Sequence, residues 1–255
     1  MLRRAVLVWA VAAFAHNAQA DETAALYQAY WAGLPAGEVR LTLRDEPVAY
    51  QAEITIRTEG LPRLVTRLRG SAVSQGRLAA GRLPEPLRYD ARYDLRKKRD
   101  RRLSMRFASR GGGRIADRGP DDTSEKPPLA EPFRRDVLDP LSALTAIRDA
   151  LRQGNRGAFT IPVYDGSRRF DADVRVLAKR SAEPVLHLEL LLRPIAGFKG
   201  EASEDGNPDT APRPVALTLS DDARLMPLAM TVPLYYLPLV VELHRWCNAA
   251  TPCSR

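Results

Sequence analysis

Apolar and polar residues alternate with period two in one short segment after another, and this pattern constrains the fold more than any other feature of the chain. Glu38-Val-Arg-Leu-Thr-Leu-Arg44 and Tyr50-Gln-Ala-Glu-Ile-Thr-Ile-Arg57 carry it most cleanly. A strand sends successive side chains to opposite faces, so alternation means one buried face and one wet face, as in an antiparallel sheet. Asp45-Glu46-Pro47 supplies the turn between these two strands. The pattern runs on less cleanly through Leu64 to Leu78, interrupted at Gly60-Leu-Pro62, and returns in Arg88 to Asp94 and Leu103 to Phe107. These last two flank Arg96-Lys-Lys-Arg99, Arg101 and Arg102. A basic cluster so placed reads as a hairpin tip or as a strand edge guarded by charge.

From Arg110 to Pro132 the composition shifts to Gly, Asp, Glu, Lys and Pro, with Gly111-Gly-Gly113 and Pro127-Pro128, which predicts a flexible insert. The glycines do not lead straight into a helix, as a phosphate-cradling loop must. One helix is expected over about 139–153. Asp139 suits the cap and Pro140 the first turn; Leu141, Leu144, Ile147, Ala150 and Leu151 recur at helical spacing, and Gly154 ends the run. Strands then resume at Phe159 to Tyr164 and Arg169 to Val176, joined through Asp165-Gly166, and at Val185 to Arg193 and Val215 to Ser220. Leu225 to Val241 is a long uncharged stretch, but Pro227, Pro233 and Pro238 would each break a spanning helix. It reads as a terminal strand, at an edge or bulged. The fold expected is mainly β: a strongly curved antiparallel sheet or open barrel-like β fold with one packed α-helix, in a single domain over 21–255.

The first residues carry an address. Met1-Leu-Arg-Arg, the apolar run Ala5 to Ala15 and Ala18-Gln19-Ala20 have the form of a secretory signal peptide over 1–20, with cleavage after Ala20. The run is shorter than the ~20 apolar residues a membrane span needs, so no transmembrane segment is expected once the leader is removed. A periplasmic location follows for the mature chain. The full chain has formal charge +8, of which the leader removes Arg3 and Arg4; the basic remainder points to a solvated surface or envelope polyanions, and not to nucleic acid. The periplasmic location also makes a disulfide between Cys247 and Cys253 the expected state of the two cysteines.

No catalytic residue, metal ligand set or cofactor site is read from the residues. His187 and Glu189 share one face of a strand, which admits a ligand pair or an acid–base pair, although a satisfied, half-buried histidine is commoner. No Gly-x-Ser-x-Gly elbow is present, and Asp121-Asp122 and Asp221-Asp222 suit turns. What remains is surface. Met226, Met230, Val232, Leu234, Tyr235, Tyr236 and Leu239 form a candidate ligand groove, methionine and aromatics being suited to irregular apolar partners.

Four motifs carry a resemblance: Tyr30-Trp-Ala-Gly-Leu-Pro-Ala-Gly-Glu38, Leu138-Asp-Pro-Leu-Ser-Ala-Leu144, Val163-Tyr-Asp-Gly166 leading to Arg169-Phe170, and Leu219-Ser-Asp-Asp222 with Arg224-Leu-Met-Pro227. In these the chain resembles exported bacterial proteins of domain of unknown function 3108 (DUF3108). The resemblance implies a periplasmic, β-rich envelope protein and transfers no catalytic residue. Together these features favour a non-enzymatic protein that binds an amphiphile, such as a lipid, or an envelope partner on its curved sheet. One alternative is a scaffold that docks an envelope protein through the proline-rich terminal strand or the Arg96–Arg102 edge. The other is a hydrolase of wall glycan or peptide.

Overall fold

The computed structural model describes residues 21–59, 68–79, 81–95, 98–124, 127–178, 183–198, 210–234 and 237–247. Strands β1 (Asp21–Trp31), β2 (Leu34–Asp45), β3 (Ala49–Thr58), β4 (Arg69–Arg77), β5 (Glu85–Leu95), β6 (Lys98–Arg110) and β7 (Gly113–Arg118) follow one another as an antiparallel meander. A 3-10 turn (Glu131–Arg134) and helix α1 (Pro140–Arg152) come next. A second meander then runs through β8 (Phe159–Tyr164), β9 (Arg169–Val176), β10 (Val185–Ala196), β11 (Arg213–Ser220), β12 (Pro227–Leu234) and β13 (Leu237–Cys247). Because β13 also pairs with β1, the two meanders make one 13-stranded sheet whose ends are β7 and β8. The expected mainly β fold with one packed helix is what forms, and the sheet is curved into a nearly closed barrel.

The chain between the 3-10 turn and α1 bridges those ends. Arg135 pairs with Ile115 of β7 and Leu138 with Val163 of β8. Asp136 N donates to Arg114 O (2.7 Å), Leu138 N to Pro162 O (2.8 Å), and Tyr164 N to Leu138 O (2.8 Å). Backbone groups that an open sheet would leave unpaired thus find partners, which removes the usual hazard of exposed edges.

Three expectations change. Residues 113–118, read as part of a flexible insert, form β7: Gly111 and Gly112 have φ +56° and +80°, and Arg110 opposes Gly113. That is a two-residue hairpin turn whose conformation suits glycine. Beyond it, Gly119 N donates to Ser104 O (2.8 Å) and Thr123 N to Arg102 O (3.0 Å), covering β6 where β7 has ended. Next, Leu225 to Val241 is not one strand but contains β12 and the first part of β13. It is bulged but lies at no edge, since β13 is flanked by β1 and β12. Its extra residue is Leu228, because Thr218 faces Ala229 while Leu219 faces Pro227. Pro233 and Pro238 oppose each other beyond the last registered pairs with β11 and β1, where no neighbour asks for their missing N–H groups. Finally, of the two readings of the basic stretch the hairpin stands and the sheet edge falls away, since β5 pairs with β6 and β6 is flanked by β5 and β7.

The core fills the inside. Tyr27, Leu41, Leu43, Tyr89, Met105 and Phe107 belong to a cluster built on the first meander. Ile161, Val163, Val174, Leu188, Leu217 and Leu219 belong to one built on the second. Met230 packs against both.

Candidate functional site

Helix α1 defines one end of the barrel. Asp139 caps it as expected, its Oδ1 accepting from Leu141 N and Ser142 N at 3.0 Å each. The same carboxylate is fully buried and also accepts from Ser74 Oγ (2.9 Å) and Ser142 Oγ. Ser142 Oγ in turn meets Tyr50 Oη (2.6 Å) and Ser74 Oγ (2.9 Å). Gly76 opposes Tyr50 in the register, and a side chain there would collide with the Tyr50 ring. Burial pushes the Asp139 carboxyl above its usual range against the pull of the hydrogen bonds it accepts. Burial likewise pushes the Tyr50 phenol up.

The next turns of α1 carry two arginines to the end of β2. Arg148 donates to Asp45 through Nη1 (3.3 Å) and Nη2 (2.8 Å), and Arg152 Nη2 donates to Asp45 Oδ2 (2.7 Å). Arg148 also reaches the carbonyls of Arg224 (2.7 Å) and Leu225 (3.2 Å) in the turn before β12. Tyr27 Oη donates to Pro227 O beside them at 2.9 Å. Burial alone would raise the Asp45 carboxyl, but the two guanidiniums more than offset it and hold the group below its ordinary value. Every polar group named here has its partner within the protein. This end therefore locks helix, first meander and second meander together; sequence reasoning missed it because Asp45 looked like a turn residue and nothing in the local sequence of α1 marks Arg148 as its partner.

The other end of the barrel has the opposite character. On β3 the inward-facing side chains lose burial away from α1: Ala52 is buried while Ile54 and Ile56 are only half-buried. Trp31, Val39, Ile54, Leu103 and Leu239 pack against the core yet stay partly exposed, as do Phe170, Leu192 and Val232 on the second meander. The turn after β8 leans over Leu103, since a side chain at Gly166 would strike it. The inner lining at this end thus carries apolar side chains that remain partly exposed.

The candidate groove residues divide between these two ends. Met226 is fully buried near α1, with its N–H donating to Ser220 Oγ (2.9 Å). Met230 sits midway, and Val232 and Leu239 belong to the inner lining of the far end. The Leu234 side chain, Tyr235 and Tyr236 lie outside the described residues, and so does Cys253, although Cys247 closes β13. His187 and Glu189 lie on the outer face of β10: His187 Nδ1 is 3.2 Å from Thr218 Oγ1, and Glu189 is paired with Arg175. Asp222 caps the turn before β12, accepting from Arg224 N (3.0 Å) and Ser220 Oγ (2.8 Å). Among the described residues no helix is long and apolar enough to cross a membrane.

Over residues 26–185 the chain matches the family described as Protein of unknown function (DUF3108). No curated protein matches it. Among solved structures it is similar to a β-barrel-like protein of domain of unknown function DUF1849 from Brucella abortus. The two share 10% identity, with 88% of this chain and 96% of that one covered at a TM-score of 0.55. That likeness is one of fold.

Proposed function

The chain belongs to the DUF3108 family, and from that premise we propose that it is an exported envelope protein that takes the apolar part of an amphiphile into the end of the barrel away from α1. The observation that carries this reading is the inner lining of Trp31, Val39, Ile54, Leu103 and Leu239, apolar and only partly buried. The mouth of a β-barrel is a common place for an apolar ligand. Each methylene moved from water into such a lining is worth about 0.8 kcal/mol, so an acyl chain has ample driving force. The leader at Met1–Ala20 supports delivery to the periplasm, where such ligands abound.

The test uses the full chain expressed with its own leader. Mature protein from the envelope fraction should begin at Asp21 and carry lipid in native mass spectrometry. Lauric acid added to delipidated protein should change Trp31 fluorescence saturably, and Leu239→Glu should abolish the change. Protein that never carries lipid and shows no saturable response to lauric acid would refute the reading.

A further inference from the structure

Arginine on this molecule is usually matched to an acid: Arg44 to Glu22, Arg110 to Asp117, Arg175 to Glu189, Arg193 to Asp173, Arg224 to Asp222. Arg69 and Arg92 make no ion pair and no side-chain hydrogen bond with any described residue, and the sheet register brings them together. In one cross-strand row Thr55 of β3, Ser71 of β4 and Arg92 of β5 are direct partners; in the next, Arg57, Arg69 and Asp94 are. All six share the outer face, so Arg69 and Arg92 are diagonal neighbours, about 7–8 Å apart at the backbone and within reach of one small ligand. They line a notch of about 360 Å³ together with Thr55, Arg57, Ser71, Asp94 and Asp100.

The two acids of the notch each have a partner of their own. Asp94 Oδ1 accepts the backbone N–H of Asp100 (2.6 Å), and Asp100 holds Arg102 (3.1 Å). Arg57, the third cation of the notch, is tied to Glu38 and Glu59 at 3.3 Å each. Two guanidiniums and two hydroxyls with no side-chain partner among the described residues thus converge on one space.

We propose that this notch binds a phosphate group. Guanidinium forks match phosphate oxygens two at a time, and a phosphomonoester near neutral pH carries close to two negative charges, one for each free arginine. The hydroxyls of Thr55 and Ser71 can serve its remaining oxygens. The proposal is independent of the amphiphile reading, since it rests on the outer face of β3–β5 and not on the inner lining. A soluble phosphate ester and a lipid headgroup present the same chemistry, and the test separates them.

Titration calorimetry of the mature chain at low ionic strength would use inorganic phosphate and glycerol phosphate, with flotation on phosphatidylcholine vesicles with and without phosphatidic acid as the third probe. R69Q/R92Q should weaken binding about tenfold or more, equivalent to about 1.4 kcal/mol. R77Q/R245Q removes the same charge from exposed arginines elsewhere on the surface and should stay within about twofold of the parent. Binding of the small anions identifies a soluble ester; binding only to phosphatidic acid vesicles, lost in R69Q/R92Q, identifies a headgroup. No saturable binding to any probe, or equal weakening in both double variants, overturns the proposal.

Discussion

Nη2 of Arg148 donates to Oδ2 of Asp45 at 2.8 Å, and the arginine side chain is only 1% exposed while the aspartate keeps 19%. The asymmetry decides what each substitution does. Asp45→Asn leaves a guanidinium buried without a counter-charge and should cost about 3–5 kcal/mol. Arg148→Met removes the buried charge, and Asp45 keeps Arg152, so the loss should be smaller, about 2 kcal/mol, from carbonyls left without a donor. Urea unfolding of both single variants and the double variant checks this: the double should lose less than the sum, since neither partner is then stranded.

Asp45 and Asp139 lie at opposite ends of α1 and should respond to acid in opposite senses. Asp45 is held low by its arginines; its contribution is full above the unfolded value of about 3.9 and lost as pH falls through its lower folded value. Asp139 is held high by burial; the folded state favours its protonated form, so stability from this group is full below about pH 3.9 and declines as pH rises through its folded value. Stability measured from pH 2.5 to 7 should therefore fall less steeply on the acid side in Asp45→Asn. In Asp139→Asn the decline above about pH 4 should shrink. A parallel offset of either curve from the parent would refute the corresponding assignment.

Strands β2, β3, β9, β10 and β11 were legible because each buries one clean face, so Leu41 and Leu43 inside alternate with Arg40 and Arg44 facing out. Helix α1 was legible from Asp139 and Pro140, whose capping roles are local. β7 was not: Arg114, Asp117 and Arg118 look like loop residues until Glu85, Arg110, Arg134 and Asp122 arrive from elsewhere to pair with them. Nor were the two sites, because Arg148 meets Asp45, and Arg69 approaches Arg92, only through pairing between distant segments. The signal for such partners is register, which composition does not carry.

The β6–β7 turn gives a sharper local test. With positive φ at both Gly111 and Gly112, Gly111→Asn should be neutral, since asparagine tolerates the left-handed region and favours this turn. Gly112→Val should cost about 1–2 kcal/mol, because a β-branched residue does not adopt it readily. Thermal melts of the two variants suffice, and equal losses would mean that the turn has another geometry.

Cys247 ends β13, whose partner β1 holds Ala24 opposite it. If the Cys247–Cys253 disulfide forms in the exported chain, thiol counting on unreduced protein should find no free thiol, and Cys253→Ser should cost roughly 2 kcal/mol in the chain-entropy model. One or two reactive thiols in fresh periplasmic protein would exclude the bond.

Closure of the barrel depends on residues 135–138, and Asp136 is its most exposed point chemically. Its φ is +52°, its N–H donates to Arg114 O (2.7 Å), and its Oδ1 accepts from Arg114 N (2.8 Å). Asparagine can keep both the conformation and the acceptor, whereas alanine keeps neither well. Asp136→Ala should therefore cost about 2 kcal/mol and loosen β7 first, while Asp136→Asn stays near the parent. Hydrogen exchange should show this as lost protection at Arg114 in the alanine variant, with Leu138 and Tyr164 amides less affected because they pair with β8 and each other. A freed edge is a template for pairing between chains, so the same variant should self-associate with rising concentration in sedimentation experiments. If Arg114 stays protected and the protein stays dispersed, the 135–138 segment is not what holds the β7 side of the sheet shut.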